Sequence, residues 1–215
     1  MNSTTLTAFA LLISTVLNEV PATLVSSKTT VLASHEFSLA NRYPEPWVNE
    51  VFKDNILLTL TYLKNGANIN KPIDWNQVRK PSRFYFTLIP NETFAFHDLV
   101  SEKYQKQKLI TTNAHFNATD GFRSDGFLFG DGVCHLASLL GWVARDSGLT
   151  VEAPTNHDFR AIPEIPQEFG VSIYSLASDN GRSTAQNLYI TNNKDRDVSF
   201  IFDYNQDKLK IEVVE

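Results

Sequence analysis

"FGDGVCHLASLLGWVARDSGL", residues 129–149, decides how this chain reads. It holds the one cysteine of the sequence, Cys134, between a glycine-rich turn and an amphipathic stretch. Leu136, Leu139, Leu140, Val143 and Ala144 recur at three- and four-residue steps, which puts them on one face of a helix. Ser147-Gly148 supplies the stop. Cys134 therefore sits where a helix start leaves backbone N–H groups unpaired. Those groups and the helix dipole favour an anion, so a thiolate with a lowered pKa is expected there. The same amides are expected to hold an oxyanion formed in acyl transfer. Gly130 and Gly132 would let backbone and substrate approach closely.

A cysteine nucleophile needs a base. "PTNHDFRAIP", residues 154–163, supplies His157 after the helix and before a run of strands. Cysteine followed by histidine is the order of papain-like and transglutaminase-like sites. Asn156, Asp158 and Asp131 are candidates to orient the ring, and Asp131 serves equally well as a turn or cap residue. The competing reading makes Cys134 a small buried hydrophobe and His157 a structural hydrogen-bonder. His97, His115, Cys134, His135 and His157 match no metal-ligand spacing, so no metal is expected. "GFLFGDG" lacks the Lys-Ser/Thr of a phosphate loop, and no cofactor is expected.

Outward from this centre, "PEPWVNEVFKDNILLTLTYLKNG" (residues 44–66) carries Val48, Val51, Phe52, Leu58 and Tyr62 at helical steps, with Gly66 ending the pattern. "RFYFTLIP" (83–90) is aromatic and β-branched enough for a strand, and "TFAFHDLV" (93–100) for a short strand or its exit. Residues 111–132 read as loops around short strands. "GVSIYSLA", "QNLYITNN", "DVSFIFDY" and "KLKIEVVE" alternate like strands, the last three forming an antiparallel meander through the turns "NNKDRD" and "NQD".

With 215 residues, 42% apolar and 20% charged, the chain can bury one sizeable core. A net charge of −5 without a long basic run argues against nucleic acid as a partner. One cysteine excludes an intrachain disulfide. "LTAFALLISTVL" (6–17) is short for a membrane span. It reads as a targeting or anchoring segment without the usual basic start, or else as an ordinary first helix. Any membrane contact is expected through this segment. Residues 1–34 are expected to be signal or anchor plus linker, 35–82 an N-terminal helical element, and 83–215 the main domain.

Residues 129–159 resemble the core of the VanW family, named for an accessory protein of vancomycin-resistance clusters. Its Gly-Gly-Gly-Val-Cys-Gln-x-Ser-Thr pattern, helix ending in Ala-Gly-Leu and later histidine are met by Gly130, Gly132, Val133, Cys134, Ser138, Gly148, Leu149 and His157. "LIPNETFAFHDLV" is similar to the family's Pro-Gly-Glu-x-Phe-Ser-Phe-Asn segment, and "QNLYITNNKDRDVSFIF" to its Asp-Leu-x-Phe-x-Asn-Asn strand pair. The likeness spans about residues 83–213. Asp131 replaces the middle glycine, His135 the glutamine and His97 the asparagine. "GVSI" puts Ser172 near an acidic position of the family.

The expected fold is one α+β domain, with the Cys134 helix on an antiparallel sheet and the 46–65 helix on another face or edge. The resemblance implies an extracytoplasmic role at the bacterial envelope, with cell-wall peptide or glycan as partner. One expectation is a thiol-dependent hydrolase or transferase with Cys134 as nucleophile, His157 as base, and Asp131, His135 or His97 orienting or binding substrate. The other is a non-catalytic glycan- or peptide-binding module. Phe94, Phe96, Phe116, Phe127 and Phe129 are then candidates for the pocket or for core.

Overall fold

The computed structural model describes residues 29–66, 72–127, 130–176 and 182–215. The expected targeting segment at 6–17 and the pocket candidate Phe129 lie outside them. The elements are β1 (Val31–Ser38), α1 (Pro46–Asn65), α2 (Trp75–Val78), β2 (Ser82–Leu88), β3 (Thr93–Ala95), β4 (Leu109–Thr111), α3 (Val133–Asp146), β5 (Thr150–Glu152), α4 (Arg182–Ala185), β6 (Tyr189–Thr191), β7 (Val198–Asn205) and β8 (Lys208–Val214).

The strongest strand pattern builds the first sheet. β7 buries Val198, Phe200, Phe202 and Tyr204, and β8 buries Leu209, Ile211 and Val213. Gln206 and Asp207 join them at φ 48° and 61°, the positive pair that a tight hairpin turn requires. β2 pairs antiparallel with β7, stacking Phe84 on Phe202 and Phe86 on Phe200. β1 pairs antiparallel with β8, giving the order β1-β8-β7-β2.

The second sheet has the order β4-β3-β6-β5, parallel between β3 and β4 and antiparallel elsewhere. This corrects the expected C-terminal meander. β6 leaves β7 and pairs with β3 and β5, because "NNKDRD" is long enough to carry the chain between sheets. Asn192 holds that crossing, its Nδ2 donating to the carbonyls of Leu88 and Arg196 at 2.8 and 2.7 Å.

α3 packs against β1 and β8 on one side and against α1 on another. Its apolar stripe joins Phe37 of β1, Ile56–Leu60 of α1 and both sheets in one core. The fold is thus a single α+β domain. The 35–82 segment, expected as an N-terminal helical element, contributes Phe37, α1 and Val78 of α2 to that core. Within α1, Asp54 is fully buried, which is tolerable because Arg79 reaches both carboxylate oxygens at 2.7 Å and Arg123 also pairs with it.

The last residues of the expected linker, 31–34, belong to a strand. β1 begins at Val31, and its register runs from Val31 opposite Val214 to Ser38 opposite Lys208. "VLASHEFS" has weak alternation because it lies at a sheet edge, where Phe37 is the residue driven fully inside. A chain starting at Leu39 should melt more than about 5 °C below the full chain in a calorimetric scan, since a paired strand and a buried Phe are lost. An unchanged midpoint would show that β1 adds nothing to the fold.

Candidate functional site

The glycines before α3 permit backbone-on-backbone contact. Gly132 caps α3 at φ 94°, and a Cβ there would stand 2.6 Å from the Phe52 carbonyl oxygen of α1. Gly130, at φ 80°, would place a Cβ 2.8 Å from that of Phe116. Asn55 of α1 locks the turn, donating from Nδ2 to the carbonyls of Arg123 and Asp131 at 3.0 and 2.9 Å. The close approach expected at these glycines is thus made by the protein's own backbone, and both glycines also line the cleft described below. The helix-start amides are engaged as well. Val133 N–H donates to the Gly130 carbonyl, and those of His135 and Leu136 to that of Gly132. These three amides are therefore not free to hold an oxyanion.

Cys134 lies in the first turn of α3, half-buried. Its sulfur accepts the Ile173 N–H at 3.4 Å and faces the Ile173 carbonyl at 3.8 Å. One turn on, Ser138 Oγ accepts the Val171 N–H at 2.8 Å and donates to the Cys134 carbonyl at 2.7 Å. Four residues of helix rise about 6 Å. Alternate residues of an extended chain are about 6.6 Å apart. The two periods match, so one helix face grips two alternate amides of residues 171–173. The other amides turn away, Ser172 N–H to the Thr155 carbonyl and Tyr174 N–H to that of Gln186. "GVSI" accordingly runs as a clamped single segment and not as the expected strand.

The expected low thiol pKa is reversed. Burial pushes the Cys134 thiol up to about 11, and the Asp131 charge adds to it, while the Ile173 hydrogen bond acts the other way. Desolvation outweighs the helix start. A neutral S–H can both accept from Ile173 N–H and donate to its carbonyl, which a thiolate cannot.

Around this point a cleft of about 510 Å³ opens, lined by Arg42, Tyr43, Asp125, Asp131, Cys134, His135, His157, Arg160 and Ser175 among others. Cys134 and His157 therefore share one cavity. His157 Nδ1 lies 3.1 Å from the Arg160 carbonyl. The neutral ring must donate there, which leaves Nε2 as an acceptor. Arg160 thus orients the ring in place of Asn156, Asp158 or Asp131. Burial lowers the His157 pKa, so the imidazole is neutral at pH 7. His135 is buried edge-on to both Phe52 and His157 and is held well below its ordinary pKa by burial, then by Arg42. Asp131 accepts the Asp125 N–H at 3.3 Å, and burial followed by the Asp125 charge raises its carboxyl to about 6.

His97 is not brought to the cleft. It is fully buried, with Nε2 donating to the Gln186 carbonyl and Nδ1 facing the Asn187 amide. It ties the exit of β3 to the entry of β6. Of the aromatic candidates, Phe94 and Phe96 are core, Phe116 lines the cleft and Phe127 is 90% exposed. Among the described residues no cluster of three or more His, Cys, Asp or Glu is placed to hold a metal ion. Sequence reasoning missed Arg42, Tyr43 and Arg160. The first two stand in "NRYPEP", which carries no motif, and Arg160 acts through tertiary contacts that no spacing reveals. Comparison with protein-family models, curated proteins and solved structures finds no match to the chain.

Gly132→Ala should destabilise by about 3 kcal/mol in urea unfolding, through positive φ and the Phe52 carbonyl together. A loss under about 1 kcal/mol would show that the turn yields easily. Asp131→Asn should have the opposite sign. The native carboxyl titrates near 6 and the unfolded one near 3.8, so the native state holds its proton longer and stability falls as pH rises from about 4 to 6. The amide removes that penalty. Discounted for solvent screening, the variant should gain about 1 kcal/mol at pH 7.5 and almost nothing at pH 4, read by urea melts at both values.

Proposed function

We propose that this is a VanW-like, extracytoplasmic protein of the bacterial cell envelope that binds a wall peptide or glycan segment in the Cys134 cleft without cleaving it. The envelope part rests on the resemblance of residues 83–213 and on the apolar segment at 6–17. The observation that carries the non-catalytic part is the bonding of Cys134. Its sulfur is committed to Ile173, its pKa is pushed up to about 11, and the amides of Val133, His135 and Leu136 are already bonded. A thiol in that state is a poor nucleophile at pH 7. The cleft itself has the size and the mixed apolar and polar lining of a ligand site.

The second reading is a thiol-dependent hydrolase or transferase with Cys134 as nucleophile and His157 as base. It is favoured by the cleft these two share and by the acceptor nitrogen that the Arg160 carbonyl leaves on His157. Alkylation separates the readings. Iodoacetamide should label native Cys134 slowly at pH 7, with a rate still rising above pH 9. Cys134→Ser, which keeps an acceptor for Ile173, should bind soluble wall fragments like the parent in titration calorimetry. Rapid labelling at pH 7, together with fragment cleavage that the serine variant lacks, would establish the enzyme instead.

A further inference from the structure

Three buried polar atoms among the described residues have no hydrogen-bond partner: Arg42 Nε, His135 Nδ1 and Ser175 Oγ. All three belong to residues lining the Cys134 cleft. Each such atom has given up water without gaining a partner, a cost the free protein bears. Collecting that penalty around one cavity is characteristic of a site built to recognise polar groups, since a ligand lacking them leaves the atoms unpaired.

The charges of the cleft are sorted. Cys134 and His135 are neighbours in the first turn of α3, yet they feel different ions. Asp131, held by the Asp125 N–H ahead of the helix start, acts on Cys134, whereas His135 packs edge-on against His157, whose Nδ1 meets the Arg160 carbonyl, and Arg160 in turn bonds Tyr43, next to Arg42 in the chain. The cleft therefore has an acidic end beside Cys134 and a basic end beyond His135. Asp131 forms no ion pair with any described residue, and neither does Arg160, whose guanidinium donates to Tyr43 Oη at 2.8 Å and lies over its ring. Arg42 is 1% exposed, and its partner Glu164, 2.8 Å away, is 39% exposed at the side chain. A half-solvated carboxylate screens a sealed guanidinium incompletely. His135 and His157, both neutral, separate the two ends without cancelling either.

We propose that the cleft recognises a zwitterion, an amino acid or short peptide whose ammonium lies against Asp131 and whose carboxylate lies against Arg160, in the field of the buried Arg42. This rests on the reading of the cleft as a binding site and chooses peptide over glycan as its ligand. An uncharged sugar leaves both ends unpaired. A simple anion answers the basic end and is repelled by Asp131. A simple cation does the reverse. A ligand carrying both charges matches each end and displaces little of the existing structure.

The test uses the full chain and NMR titration with alanyl-alanine, its N-acetyl form, its C-terminal amide, the doubly blocked peptide and chitotriose. The free dipeptide should bind, and each single block should weaken it about tenfold or more. Asp131→Asn should weaken the free dipeptide but leave the N-acetyl form unchanged. Arg160→Gln should weaken the free dipeptide but leave the amide unchanged. These crossed patterns distinguish charge recognition from a loss of folding, which would affect every probe. Equal binding of the doubly blocked peptide, or binding of chitotriose alone, overturns the zwitterion and leaves a binding cleft. Product formed from any probe, seen by mass spectrometry of the same samples, overturns the non-catalytic reading, and the block pattern still decides the charges. Silence from all probes at millimolar concentration overturns both.

Discussion

The grip of α3 on residues 171–173 is the interaction from which the rest of the site follows. Cys134 Sγ and Ser138 Oγ hold the amides of Ile173 and Val171, and each of these residues also buries an apolar side chain against the core. An extended segment laid along a helix has no sheet partner to satisfy its N–H groups, and leaving them buried and unpaired is costly. Two side-chain acceptors one helical turn apart solve that problem for one edge of the segment. The carbonyls of Thr155 and Gln186 solve it for the other. Fixing this segment fixes Ser175 and Leu176 on one wall of the cleft, while the turn that starts α3 fixes Asp131 on another.

The same packing explains the electrostatics. A helix start stabilises an anion by roughly 0.3–1 kcal/mol when exposed. Burial of a thiolate opposes this with a larger penalty, and Asp131 adds repulsion. The resulting neutral thiol sits among neutral imidazoles and a carboxyl raised to about 6. Perturbed groups gathered in a cleft are a sign of function, yet the direction of each shift matters. Here every shift is toward the uncharged form, led by desolvation, which suits a recognition surface kept from water better than a charged nucleophile.

Close approach of backbones is the second constraint. Gly132 rests on Phe52 and Gly130 on Phe116, so the α3 start is wedged between α1 and the 116–123 loop. Asn55 bonds both sides of that wedge. Asp131, between the two glycines, is thereby held with little freedom to leave its partly buried place. Its position owes as much to α1 as to its own turn.

Local chemistry was enough to read the helices at 46–65 and 133–146, the β7–β8 hairpin, the strand at 82–88 and the α+β class, because burial on one face writes a period into the sequence. It also brought Cys134 and His157 forward as residues of one neighbourhood. What the sequence alone did not determine is where marginal segments go and what the gathered groups feel. "VLASHEFS" has almost no pattern of its own and becomes a strand because β8 offers a free edge. "GVSIYSLA" has the pattern and does not pair, because α3 captures its amides first. His97 carries the same side chain as His157 but is sealed beside Asn187, far along the chain from any residue that could have betrayed it. Arg42 and Arg160, 118 positions apart in numbering, meet around His135 only once the domain has closed. Protonation followed the same rule: the helix-start argument uses local dipoles, whereas the pKa of Cys134 is set by the water that the whole fold excludes.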